Sequence, residues 1–261
     1  MILSPSIAPT DRTRSDETSF VFLRASIATG TDAMDTESHP FSKAYELAMR
    51  CHDASELPEA AEAMRDALRS ELSNESNPRA GVLDYYLSLA RSLAKRLGCH
   101  ETIPLARTAL EVADELHSAD RELLRTARYA LASFLSRDAR PSEAADALLP
   151  IVAEFATLEP PEMPMIWVAL LRNLLEAGRL AELERHALIL EEVSERGGDW
   201  WHRLYALEML ALARERQGAA VERIAEPLRA ELALLESLGR NRGKARKSVE
   251  DWLERIGAEK P

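Results

Sequence analysis

The chain repeats itself, because a leucine followed by a small or apolar side chain returns every 39–42 residues inside segments with helical apolar spacing. Two helix backbones approach closely where little more than Cβ stands between them. Segments that alternate with these carry small or apolar residues seven apart at the same step. The first series is Leu47-Ala48, Leu89-Ala90, Leu131-Ala132, Leu170-Leu171 and Leu210-Ala211, and the second is Ala60/Ala67, Thr102/Ala109, Ala144/Ile151 and Leu183/Leu190.

Pro, Gly, Asn and Asp interrupt the helical spacing at roughly 20-residue intervals and predict where helices begin and end. Helix-start signals are Pro58, Asp120, Pro141 and Asp199, and glycines that favour helix ends are Gly98, Gly178, Gly197, Gly218 and Gly239. Because the turns are short, consecutive helices must be antiparallel neighbours. The ten predicted helices cover 40–54, 58–73, 79–97, 100–117, 120–137, 141–158, 162–177, 180–196, 199–217 and 220–238.

Composition favours helices over strands. Ala and Leu each make up about 15% of the 261 residues, whereas Val and Ile together stay under about 7%. Cys51 and Cys99 are too few for a disulfide framework, and no apolar run is long enough to cross a membrane. We therefore expect an all-α protein in the cytoplasm, with no signal peptide and no membrane contact.

Three regions are predicted along the chain. Residues 1–38 hold three arginines, six acidic residues and one short apolar run, so we expect this segment to be disordered. Met34 is an alternative to Met1 as the translation start, since the helical pattern begins just after it. Residues 39–239 form the helical repeat domain. Residues 240–261 contain a basic linker and a capping helix with an apolar stripe at Val249, Trp252, Leu253 and Ile256.

The repeat resembles the tetratricopeptide-repeat family over about 200 residues and five repeats. ELPEAAEAMRDAL (56–68) is similar to the second half of the family motif, and WVALLRNLLEAGRLAEL (167–183) carries its bulky residue, its leucine and its turn glycine. The motif is degenerate, because Leu171, Leu183 and Leu190 stand where small residues are usual, and the period exceeds the usual 34. The resemblance implies a right-handed α-solenoid of antiparallel hairpins; an unrelated helical array with alanine-rich seams is the alternative.

In that family the first helix of each hairpin lines a concave face that binds peptides or partner proteins. The resemblance therefore implies a binding surface on the odd-numbered helices, with tyrosines as anchors and arginines that set the register. The lysine and asparagine positions of the family's carboxylate clamp are absent. Residues predicted to face the partner are Tyr45, Met49, Arg91, Tyr129, Arg172, Tyr205 and Glu208.

Trp200 and Trp201 open a helix on consecutive positions, so their rings cannot face the same way. We expect one ring to pack on the preceding hairpin. The other is either an edge of the core or an exposed anchor for a partner, since tryptophan is favoured at binding hot spots.

No motif for catalysis, metal binding or phosphate binding is present, so we expect no cofactor and no enzymatic activity. Cys51-His52 and Cys99-His100 fall in different repeats and lack zinc-ligand spacing. Five basic residues between 240 and 247 lack interleaved aromatics, and the net charge is −11, so nucleic acid is not an expected partner. Acidic residues either solvate the even helices or line an inner groove that selects a basic peptide.

These features predict a non-catalytic adaptor that binds another protein or peptide. A regulatory module that senses a small ligand or peptide is the first alternative, although no DNA-binding segment is visible. An enzyme with a site between helices is the second alternative; it requires a buried cluster of histidines and carboxylates.

Overall fold

The computed structural model describes residues 40–155 and 164–237, together with positions 247, 250, 251, 253 and 254. The two continuous ranges contain ten α-helices and no strand, and the five later positions are helical as well. The helices are α1 (Pro40–Arg50), α2 (Leu57–Ser73), α3 (Arg79–Leu97), α4 (Cys99–His117), α5 (Arg121–Arg137), α6 (Pro141–Phe155), α7 (Pro164–Glu176), α8 (Leu180–Gly197), α9 (Trp200–Arg216) and α10 (Val221–Ser237).

The all-α prediction is confirmed, and each of the ten helices predicted for the repeat domain is present. The greatest difference at a helix end that the structure describes is at α1, which stops at Arg50 and is followed by irregular backbone and a turn at 54–56. The predicted disordered segment 1–38 and the basic run from 240 to 246 lie outside the described residues. Most of the predicted capping stripe lies outside them too. The backbone is helical at Leu253, however, and its side chain is fully buried in the hydrophobic core.

Local side-chain chemistry explains several helix ends. The Asp120 carboxylate accepts a hydrogen bond from the Leu123 backbone N–H at 3.1 Å, and Asp199 accepts one from the His202 N–H at 3.3 Å. Each satisfies a donor that has no partner within the helix. At the end of α8 the left-handed residue is Gly198 and not the predicted Gly197, with a φ of 67°.

Three turns from an odd to an even helix share one hydrogen-bond pattern. At Gly178, the N–H donates to the Leu175 carbonyl at 3.2 Å and the following N–H donates to Leu174 at 3.0 Å. Gly218 and Ala139 make the same pair of bonds, and all three residues have positive φ, with 71° at Gly178, 76° at Gly218 and 56° at Ala139. The spacing of these turns matches the period of the sequence repeat.

Packing follows chain order. Each helix packs against the next one, and α1 with α3, α3 with α5, α2 with α4 and α7 with α9 also pack against each other. Below, α1, α3, α5, α7 and α9 are called the odd helices, and the others the even helices. Where next-but-one helices meet, like ends lie together: the Arg96 side chain near the end of α3 donates to the Met49 carbonyl at the end of α1, at 3.0 Å. On the even side, His117 at the end of α4 contacts the Leu72 carbonyl near the end of α2.

The repeated residues of the sequence form the core between helices. The alanines of the Leu-Ala pairs and the residues spaced seven apart are all buried, and so are Leu171, Leu183 and Leu190. The larger residues are therefore accommodated inside the core and not at its edge. Tyr86 lies in the same core, where its hydroxyl donates to the Leu105 carbonyl at 3.0 Å.

Candidate partner-binding surface

Asp199 caps the first turn of α9. Its carboxylate accepts the His202 N–H and also lies 2.6 Å from Nδ1 of the same histidine. The His202 ring packs edge-on against Trp201, with centroids 4.6 Å apart. The DWWH sequence therefore fixes the indole ring of Trp201 through a chain of local contacts.

Trp201 and Tyr205 form a stacked aromatic pair on α9. Their ring centroids are 6.0 Å apart and their planes are 7° from parallel. Trp201 remains 40% exposed, whereas Trp200 is half-buried against the core. The two indoles thus face different surroundings, and Trp201 is the one that a partner can reach.

Tyr205 connects this pair to α7. Its hydroxyl lies 3.4 Å from the Val168 carbonyl oxygen, to which it donates. Burial, with a smaller contribution from the neighbouring Glu208 and against the opposing effect of Arg172, raises the pKa of Tyr205 to about 12. The phenol therefore stays protonated near neutral pH and acts as a donor, not as a base. Arg172 forms an exposed ion pair with Glu176 at 2.9 Å.

Four of the predicted partner-facing residues consequently share one neighbourhood on α7 and α9: Arg172, Trp201, Tyr205 and Glu208. The others lie on α1, α3 and α5. Met49 and Tyr129 are each 44% exposed, and Arg91 is exposed as well. Tyr45 is half-buried against the core, as Tyr205 is, whereas Tyr129 is the exposed one of the three predicted tyrosine anchors.

Charge divides sharply between the two sets of helices. The odd helices carry 14 basic and 6 acidic residues, net +8, and the even helices carry 7 basic and 20 acidic residues, net −13. Among the side chains that the structure describes as exposed, ten are basic and four acidic on odd helices, against five basic and thirteen acidic on even helices. This distribution favours the hypothesis that acids solvate the even helices. It argues against an acidic surface on the odd helices.

Three arginines on α3 and α5 have no hydrogen bond or ion pair with any residue in the described ranges: Arg91, Arg128 and Arg137. Sequence reasoning selected Arg91 and missed the other two. A count of charge helix by helix would have drawn attention to both, because α5 alone carries four arginines and one glutamate.

A partly buried charge cluster joins α8, α9 and α10. Arg203 contacts Glu195 at 3.3 Å and Glu231 at 3.1 Å, and Glu191 lies 3.9 Å away. Burial raises the pKa of Glu231, which is only 3% exposed, while Arg203 opposes that shift. Glu231 occupies the apolar stripe of α10, so its position in the pattern was a signal that sequence reasoning missed. The cluster ties three helices together.

The histidines in the described part of the chain make separate local contacts. His100 lies 3.2 Å from an Asp138 oxygen, His117 contacts a backbone carbonyl, and His186 is buried beside Arg185. Burial raises the pKa of the Cys51 thiol, with Glu56 adding to the shift, which disfavours the reactive thiolate. Within the described residues, no three His, Cys, Asp or Glu side chains are placed to hold a metal ion.

None of the helices in the described ranges is long and apolar enough to cross a membrane. Comparison with protein-family models, curated proteins and solved structures gives no match to this chain.

Proposed function

We propose that this protein is a non-catalytic scaffold that binds another protein or peptide on its odd helices. The observation that carries the proposal is the stacked pair Trp201–Tyr205, which presents a fixed and 40% exposed indole next to Arg172 of the neighbouring odd helix. Aromatic side chains and arginine supply most of the binding energy at protein interfaces. A ring that is already immobilised loses little further entropy on binding.

We infer that the helices form a right-handed stack of five hairpins similar to tetratricopeptide repeats. Packing limited mainly to helices one or two apart in the chain supports this arrangement. The recurrence of one turn geometry at Ala139, Gly178 and Gly218 supports it as well. In such a stack the odd helices would form one continuous surface, with Met49 on the first odd helix, Tyr129 on the middle one and Trp201 on the last.

Several observations support binding over catalysis. The described histidines do not converge with carboxylates in one buried cluster, which the enzyme alternative requires. Tyr205 is held protonated and Cys51 is disfavoured as a thiolate, so neither is a ready base or nucleophile. Both cysteines are free, which fits action in the reducing cytoplasm.

The experiment is affinity capture with the full chain, followed by a binding titration of the purified partner. We compare the wild type with the double variant Trp201→Ala/Arg172→Glu. The control is Leu188→Ala, which removes an equally accessible apolar side chain, 44% exposed, from the even helix α8. Circular dichroism verifies that all three proteins remain helical.

Loss of the partner in the double variant alone, with at least about tenfold weaker binding in the titration, supports the proposal. Undiminished binding by the double variant overturns the assignment of this surface. Equal losses in the double variant and in Leu188→Ala overturn it too, because the effect would not depend on the odd helices.

A further inference from the structure

The charges of the odd helices indicate what kind of partner they bind. We propose that α3 and α5 form the centre of a site for a protein segment rich in aspartate and glutamate. The inference rests on the proposed function and adds the chemistry of the ligand. It is carried by the unpaired arginines, the apolar side chains beside them and the opposite charge of the even helices.

Arg91, Arg128 and Arg137 hold three guanidinium groups without a carboxylate partner in the described part of the molecule. Other arginines on the odd helices are already occupied: Arg50 pairs with Glu46 at 3.0 Å, and Arg96 donates to carbonyls at the end of α1. An unpaired guanidinium offers five donors in a planar fork that matches the two oxygens of a carboxylate. α3 and α5 pack side by side, with Arg91 exposed on α3 and Arg137 exposed on α5. Arg128 is half-buried and lies nine residues before Arg137, so the two flank the exposed side of α5 from opposite edges.

Exposed apolar side chains also lie on the odd helices. Tyr129 follows Arg128 directly on α5 and is 44% exposed, and Met49 on α1 is exposed to the same extent. α1 packs against α3, so Met49 belongs to the surface that α3 and α5 continue. A peptide with acidic residues and an occasional aromatic or aliphatic side chain would use both the arginines and these anchors.

A nucleic acid shares the negative charge but fits this molecule less well. Nucleic-acid-binding domains are usually strongly basic, whereas this chain has a net charge of −11 and a calculated pI near 5.2. The even helices, net −13, would repel a long polyanion that extends past the odd helices. A short acidic segment can bind to the odd helices alone and avoid that repulsion.

The test is selection of binders from a phage library of random peptides on the immobilised full chain, at low and at high salt. We expect enrichment of peptides with several Asp or Glu residues and one aromatic or aliphatic residue. A synthetic copy of the strongest peptide should bind several-fold more weakly as salt rises. Binding should fall at least about tenfold in the triple variant Arg91→Glu/Arg128→Glu/Arg137→Glu.

Two further variants separate local from general charge effects. Arg65→Glu/Arg107→Glu/Arg185→Glu changes the net charge by the same amount on even helices, and we expect it to affect binding much less. Arg91→Lys/Arg128→Lys/Arg137→Lys keeps the charge but removes the planar guanidinium donors. We therefore expect its affinity to lie between those of the wild type and the Arg→Glu triple variant. Thermal melting of each variant verifies that the fold is retained.

Enrichment of neutral or basic peptides overturns this inference and leaves the proposed function standing. Equal losses in the two charge-reversal variants overturn it as well. Tighter binding of a short labelled DNA duplex than of the selected peptide, lost in the Arg91→Glu/Arg128→Glu/Arg137→Glu variant, assigns the site to nucleic acid. Failure to enrich any peptide counts against both the inference and the proposed function.

Discussion

Nη1 of Arg216, the last residue of α9, lies 2.8 Å from the carbonyl oxygen of Leu175 near the end of α7. The final carbonyls of a helix lack intrahelical donors and carry the negative end of the helix dipole. The guanidinium of one odd helix therefore donates a hydrogen bond to a terminal carbonyl of the previous odd helix. Arg96 does the same for α1, where it contacts several carbonyls.

Replacing these arginines by methionine tests their contribution to stability. We expect Arg216→Met to lower the free energy of unfolding by about 0.5–1 kcal/mol and Arg96→Met by about twice as much, because Arg96 serves more acceptors. Arg137 also lies two residues before its turn residue but has no bonding partner among the described residues. Arg137→Met is therefore the matched control, and urea unfolding should show almost no change. An equal loss in all three variants would contradict this interpretation.

Ala139 is a site for a stabilising glycine. Its φ is 56°, in the left-handed region where Cβ is unfavourable, and the equivalent turn residues are Gly178 and Gly218. We expect Ala139→Gly to raise the free energy of unfolding by about 0.5–1 kcal/mol. The control Ala230→Gly lies on the exposed side of α10 and should lower it by about the same amount. If chemical denaturation shows that both variants are less stable than the wild type, the left-handed conformation of Ala139 does not cost stability.

Glu231 gives the stability a pH dependence. Its pKa in the folded protein is raised chiefly by burial; Arg203 opposes this shift, and the carboxylates of Glu191 and Glu195 add to it. A raised pKa means that the group contributes stability below its unfolded pKa of about 4.3, which is lost as pH rises through the folded value. We therefore expect the wild type to lose stability relative to Glu231→Gln as pH increases across that window.

Thermal or urea unfolding at a series of pH values measures this difference. Glu195→Gln, which changes the more exposed carboxylate on the same arginine, should show a much smaller dependence. A wild type that gains stability relative to Glu231→Gln with rising pH would mean that pairing with Arg203 outweighs burial.

His186 should give the stability a pH dependence opposite to that of Glu231. Burial lowers the pKa of this imidazole, with Arg185 adding to the shift, and its Nδ1 has no hydrogen-bond partner among the described residues. The neutral ring is favoured in the fold, so its stabilising contribution is present above the unfolded pKa of about 6.5 and is lost as pH falls. We expect His186→Leu to lose less stability than the wild type between neutral and acidic pH. An NMR titration of the His186 ring with a midpoint above that of a free histidine would contradict the assignment.

Much of the fold could be predicted from local sequence signals. Asp199 and Asp120 begin their helices because a nearby carboxylate satisfies free N–H groups, and this chemistry needs no information from distant residues. The apolar spacing likewise assigned the repeated alanines to the core. The candidate site could be predicted from the sequence only in part. Trp200 and Trp201 carry the same sequence signal, and only the structure shows that the core covers Trp200 more than Trp201.

By itself, the sequence determined that the chain is helical, where most helices begin and end to within one or two residues, and which helices carry the positive charge. These properties depend on residues within one or two turns of each other. Only the tertiary structure decided which charges are available to a partner. Arg96, Arg137 and Arg216 occupy the same place before a turn, yet two of them bind a neighbouring helix end and the third has no such contact in the described part of the protein. The difference depends on where the adjacent helix terminates in space, because a guanidinium is neutralised by the groups within its reach and not by its position in a repeat.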